Sequence, residues 1–240
     1  MVDRRAAKAA AKETMRTARA NPLLVSLLFL VIVYILNSVE AFVQDNPSAL
    51  LGVYGFINNS VQTAVDTVAS PAGVFANILI VLISIILEIG FTIYCLGIAH
   101  GREMPATSLF DGFSLVGRII ALTIIQYVFV FLWSCLLVVP GIVASYRYRF
   151  SYYNLIEYGV GPMEAIRMSK MQTLGFKMPL FKLDLSFIGW VILSALTLNI
   201  LSIWLMPYYT LTNINYYFTA INVNPVIPNS GSLPNGDNQI

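Results

Sequence analysis

Apolar residues along this chain come in long blocks, neither in the alternation of a half-buried strand nor in the narrow stripe of a surface helix. Six blocks stand out, at 22–41, 73–99, 115–139, 141–158, 179–196 and 201–220. Each is near the roughly 20 residues that a helix needs to cross a bilayer. Pro22 opens the first block at a position where a helix tolerates proline. Pro140-Gly141 closes the third, because proline favours a helix break there. The region 179–221 holds too much apolar length for one crossing, and Thr197-Leu198-Asn199 divides it. Pro207 would kink the last block, which packing inside a membrane tolerates. The pattern predicts an all-α polytopic bundle of about six spans, a transmembrane domain over 22–221.

The connectors set its orientation. Residues 3–20, DRRAAKAAAKETMRTARA, read as a helix within a basic segment 1–21, with Arg4, Lys8, Lys12 and Arg16 at fourfold spacing. Its other side is Ala and Met15, with little to insert into lipid, so it either lies near anionic headgroups or only marks the inner side. The stretch 42–72 carries Asp45 and Asp66 but no Lys or Arg, which places it outside. It also holds Asn58-Asn59-Ser60, a glycosylation acceptor pattern that is common by chance. Residues 100–118 and 160–178 are polar and basic and belong inside. If 141–158 did not cross, Arg147, Arg149, Arg167, Lys170 and Lys177 would all stay outside, against the positive-inside bias. Counting it as a crossing puts both termini in the cytoplasm. The tail 222–240 is rich in Pro, Gly, Asn and Ser and reads as disordered. A cleaved signal peptide ending near Val39 and Ala41 is disfavoured by the long charged leader and by Glu40.

Composition agrees. The 240-residue chain is 58% hydrophobic and 11% charged, with mean hydropathy +0.74. Soluble domains carry about 25% charged residues, so the first partner expected is the lipid bilayer. Cys95 and Cys135 lie in apolar runs near opposite ends of their spans and form no metal spacing, and His100 is the single histidine. No hydrolase, metalloprotease, phosphate-loop or dinucleotide motif occurs. The expectation is therefore no cofactor, no metal, no nucleic acid and no enzymatic activity.

The chemistry that does stand out is charge inside apolar blocks. In SYRYRFSYYNLIEY, residues 145–158, two arginines sit among aromatic rings. Glu88 lies about 11 residues, roughly 16 Å, from the inner end of its span. Arg147 lies at a similar depth, so an ion pair of Glu88 with Arg147 is expected. Helical spacing puts Arg147, Ser151, Asn154 and Tyr158 on one face. Arg149 shares its face with Tyr146, Tyr153 and Ile156, and is expected to snorkel or to stack on rings. An intramembrane pair either fixes helix register or lines a functional path. Asp184 and Lys182 fall where the fifth span leaves the cytoplasm, where solvation suffices. Trp133, Trp190 and Trp204 suit interface or packing positions. Gly97 and Gly101 form GxxxG, a weak sign of close helix approach.

The later blocks carry a resemblance. PGIVASYRYRFSYYNLIEYGVGPMEAIRMSKMQTLGFKMPLFKLDLSFIGW, followed by LTLNILSIWLMPYY, resembles the bacterial integral membrane proteins called domain of unknown function 975. The matching positions are Pro140-Gly141-Ile142, Glu164-Ala165-Ile166 with Ser169, the block 183–190 containing Asp184, Gly189 and Trp190, and Trp204 with Pro207-Tyr208. GREMPATSLFDGF also looks like the family's R-G-E … L-F-x-G-F segment. Two places depart from the pattern, at Thr173-Leu174-Gly175-Phe176-Lys177 and at Glu157-Tyr158-Gly159. The resemblance implies a multispan protein of the bacterial cytoplasmic membrane and no reaction. The expected function is a non-enzymatic accessory or scaffold that meets a membrane or cytoplasmic protein partner through 3–20, 100–118 and 160–178. Homo-oligomerisation stays open. The alternative is a small transporter or export/immunity component that uses Glu88 and Arg147.

Overall fold

The computed structural model describes residues 4–18, 21–43, 71–197 and 199–228. The expected outer loop with its Asn58 acceptor, and the tail beyond 228, lie outside the described residues. The described chain is all-helical. In order it has α1 (Arg4–Thr17), α2 (Pro22–Val43), α3 (Pro71–Ala99), a 3-10 segment (Ala106–Leu115), α4 (Val116–Leu136), α5 (Val138–Arg147), α6 (Ser151–Tyr158), α7 (Pro162–Gln172), α8 (Lys177–Leu196) and α9 (Ser202–Val223). Three stretches are long and apolar enough to cross a membrane: Asn77–Ala99, Ala106–Cys135 and Lys177–Leu196. A fourth is reached if α1 and α2, bent by 92° to each other, count together.

The block expected as a single fourth crossing is two short helices. α4 ends one turn before the expected Pro140-Gly141 break, at an extended Leu137 (φ −166°, ψ 149°). Pro140 instead sits in the first turn of α5, where a missing N–H leaves no helical bond unmade. Gly141 lets α5 fold back on α4: a Cβ there would lie 2.1 Å from Ser134 Oγ. From that point the chain retraces α4. Gln126 Nε2 donates to the Tyr148 carbonyl (2.8 Å), Thr123 Oγ1 and the Tyr152 hydroxyl share a hydrogen bond (2.8 Å), and Arg118 Nη1 donates to the Gly159 carbonyl (3.0 Å). α5 and α6 together thus run antiparallel along the whole of α4.

Close backbone approach, set by glycine, also seats the 3-10 segment on α3. A Cβ at Gly90 would fall 1.8 Å from the Leu109 carbonyl oxygen, and one at Gly112 would fall 2.3 Å from that of Ile86. Gly97 of the GxxxG pattern meets the Met104 side chain, and Gly101 meets nothing within 4 Å.

Two apolar clusters join the termini to the centre. Ala11 of α1 packs with Val25, Phe29, Leu87, Phe91, Tyr94 and Leu211. Ala7 packs with Phe150, Leu183, Phe187, Tyr216 and Tyr217. Burying side chains of this size is worth about 1.5–3 kcal/mol each relative to water.

Pro207 lies buried within α9. It cannot donate to the carbonyl of Ile203, four residues earlier. Ser26 of α2, fully buried, donates its hydroxyl to that carbonyl. A neighbouring helix thereby supplies the hydrogen bond that the proline removes.

Candidate functional site

The break between α5 and α6 organises the polar centre. Ser151 N–H bonds to the Tyr148 carbonyl, one residue tighter than the α-helical partner Arg147. The Arg147 carbonyl and the Phe150 N–H are therefore left over. Ser169 of α7 serves both: its hydroxyl donates to the Arg147 carbonyl (2.9 Å) and accepts from Phe150 N–H (3.1 Å). Thr173 Oγ1 donates chiefly to the Ser169 carbonyl, at 2.8 Å, and stands as a second, longer donor 3.3 Å from the Arg147 carbonyl. A second node lies one turn on. Asn154 and Gln172 exchange amide hydrogen bonds (2.8 and 2.9 Å), and the Tyr217 hydroxyl donates to Asn154 Oδ1 (3.1 Å). Buried polar groups of this kind hold a fold in one arrangement when all are satisfied.

The break also turns Arg149 inward. Its guanidinium grips Asp184 of α8 with two bonds, Nη1 to Oδ2 at 2.6 Å and Nη2 to Oδ1 at 2.9 Å. Nε and Nη2 also donate to Asn213 Oδ1 of α9, at 3.1 and 2.8 Å. Nη2 reaches the Tyr209 hydroxyl as well. Tyr146 and Tyr209 hydroxyls each donate to Asp184, at 2.8 and 2.9 Å. The Arg149 guanidinium carbon lies 5.6 Å from the Tyr146 ring centre and 5.8 Å from that of Tyr209. Such a two-pronged, ring-flanked fork is specific to arginine. The side chains of Arg149 and Asp184 are 19% and 26% exposed, so the pair is only partly screened.

The ion pair expected between Glu88 and Arg147 does not form. The helix stops at Arg147, which breaks the 3.6-residue phase that would have put its side chain with Ser151 and Asn154. Those two residues are buried, and Arg147 meets α7 through its carbonyl. Glu88 occupies an exposed position on α3. Arg149 does stack on Tyr146 as expected, but its main partner is Asp184, for which interfacial solvation alone was expected.

The remaining candidates have plain positions. Glu164 pairs with Arg167 one turn along α7. Gly189 faces open space, and Trp190 lies with its ring centre 5.7 Å from that of Trp204. Sequence reasoning missed Tyr146, Tyr209, Asn213, Gln172 and Ser26 as polar partners. Tyr209 and Asn213 at i, i+4 on an apolar helix carried the one usable signal.

α7 presents a second feature. Its inner face holds Ser169 and Gln172, and its outer face exposes Met163 (60%) and Met171 (44%), with Leu174 (60%) in the turn that follows. Arg167 Nη1 lies 3.5 Å from Met171 Sδ within this stripe. The polar segments converge at the same end of the bundle. His100 Nε2 is 3.2 Å from Glu157, Asn224 Nδ2 donates to the Gln172 and Leu174 carbonyls, and Thr14 and Thr17 line a cleft of about 370 Å³ with Ile98, Gly101 and Arg102.

These features define an all-helical protein with three helices able to span a membrane, built around a broken helix whose backbone and charges are satisfied by its neighbours. Residues 135–223 match the model of the family described as protein of unknown function (DUF975). The match begins at Cys135, so GREMPATSLFDGF lies outside it. It does contain the α5–α6 break, Ser169, Arg149, Asp184 and Pro207. No curated protein and no solved structure matches the chain.

Proposed function

We propose that the protein is a non-enzymatic accessory or scaffold of the bacterial cytoplasmic membrane, with six crossings and both ends inside. Its partner protein is engaged through the cytoplasmic end. The observation that carries the reading is the outer face of α7. Met163, Met171 and Leu174 form an exposed apolar stripe beside Arg167, on a helix that is too short and polar to span. Flexible methionine surfaces of this kind suit protein recognition. Six crossings are supported by the way α5 and α6 retrace α4, and by the inward bias of Lys and Arg. A scaffold is also favoured over a transport path by the Arg149–Asp184 cluster, whose donors and acceptors are taken up by one another.

The test is copurification from native membranes in mild detergent. Wild type should bring down one protein in fixed stoichiometry. Met163→Glu with Met171→Glu should release it while leaving thermal unfolding unchanged, because both side chains are exposed. Glu88→Gln with Arg147→Gln should retain it. Wild type that emerges alone, or a glutamate variant that holds its partner, would overturn the proposal. The transporter alternative now rests on Glu88 alone, an exposed carboxylate within a span.

A further inference from the structure

α1 is not a free basic arm. Its Ala7 and Ala11 face is buried, and the Ala7 carbonyl accepts from Asn215 Nδ2 of α9 at 3.2 Å. This docking fixes the rotation of the helix, and so fixes where its cations stand. Arg4 Nη1 donates to the Lys182 carbonyl of α8 at 3.4 Å. Lys8 Nζ donates to Ser186 Oγ at 2.8 Å and stands 4.2 Å above the Phe187 ring centre. Lys12 and Arg16 follow at the same spacing and are exposed. Each step of four residues carries a side chain about 40° further round a helix. The row therefore starts against α8 and winds onto the open side, with the exposed Lys182 beside its head.

Among the described residues, no carboxylate pairs with any of these five cations. Asp184, two residues from Lys182, is already held by Arg149. Burial against α8, and then the charge of Arg4, hold the Lys8 ammonium below the usual lysine range. The fold thus gathers five cations with one carboxylate, Glu13 of α1, and that carboxylate closes no ion pair with them. α1 also stands at 92° to the apolar α2. With α2 along the membrane normal, α1 lies in the plane of the headgroups.

We propose that Arg4, Lys8, Lys12, Arg16 and Lys182 form a docking surface for the phosphodiester headgroups of anionic phospholipids. A lipid surface fits better than a soluble anion, because the cations form a row along a helix rather than a cup around one point. Each cation near an anionic surface strengthens the association about fivefold.

The test uses the full chain in bilayers of phosphatidylcholine with phosphatidylglycerol, and reads boundary lipid with spin-labelled analogues. Wild type should select spin-labelled phosphatidylglycerol over phosphatidylcholine at least fivefold. The selection should fall severalfold in Lys8→Gln/Lys12→Gln/Lys182→Gln, which leaves only Arg4 and Arg16 of the row. It should survive in Lys8→Arg/Lys12→Arg/Lys182→Arg, and weaken at high salt. The arginine and salt arms stand even if the glutamine variant misfolds. Equal association of the two lipids with wild type would overturn the proposal. So would undiminished selection in a folded glutamine variant, or displacement of the label by inorganic phosphate at matched ionic strength.

Discussion

Ser169→Ala is a sharp probe of the broken helix. The hydroxyl serves two backbone groups at a site with no solvent exposure, the Phe150 N–H at 3.1 Å and the Arg147 carbonyl at 2.9 Å. Alanine fits the space and removes both bonds. A buried donor or acceptor left unpaired costs about 1–3 kcal/mol. The N–H loses its partner outright. The carbonyl keeps Thr173 Oγ1 at 3.3 Å and loses less. The expected destabilisation is about 2–4 kcal/mol. For a chain of this size that lowers the midpoint of thermal unfolding by roughly 5–15 °C, readable by tryptophan fluorescence in detergent. Thr173→Ala alone should cost under about 1 kcal/mol. The double variant should exceed the sum of the singles, because only then does the Arg147 carbonyl have no donor. A midpoint for Ser169→Ala within about 2 °C of wild type would refute this account of how the break is held.

Arg149→Met and Asp184→Met should each destabilise by about 2–3 kcal/mol, allowing for partial exposure, because each strands a charge. The double Met variant should be more stable than either single, as a double-mutant cycle of unfolding midpoints would show. Ser26→Ala should cost about 1–2 kcal/mol, but almost nothing in a Pro207→Ala background, where residue 207 can donate to Ile203 itself. Gly90→Ala should abolish folded protein, because its Cβ would strike the Leu109 carbonyl oxygen. Gly189→Ala, with nothing within 4 Å, should be neutral or gain up to about 1 kcal/mol by helix propensity. Yield on size exclusion separates the two glycines.

The sequence carried the all-helical character well, because apolar blocks near span length have few other solutions in lipid. It carried the choice of arginine badly, and the reason is local. Arg147 and Arg149 are two residues apart, so their order of burial depends wholly on helical phase. A continuous helix from 141 to 158 points Arg147 inward. The turn at 148–150 resets the phase and delivers Arg149. That turn has no glycine or proline of its own. Its cause lies in Ser169, some twenty residues on, whose hydroxyl takes the two backbone groups that the helix gives up. Gly90 and Gly112 were opaque for a similar reason, since each matters only through the other strand of the contact.

The same geometry gives a physical meaning to the residues by which the family was recognisable. Ser169 closes the broken backbone, Asp184 within the block 183–190 holds the arginine that the break releases, and Pro207 opens a carbonyl that α2 must fill. Gly141 permits the return along α4 that brings all of them together. Three of the pattern's positions, Gly141, Ser169 and Asp184, thus serve one arrangement, a helix broken midway and locked by α7, α8 and α9, and Pro207 ties α9 to α2. A sequence pattern spent on holding backbone and charge in place describes a rigid frame. Differences in function within such a frame belong on its outer faces, which is where the α7 stripe and the α1 cation row lie.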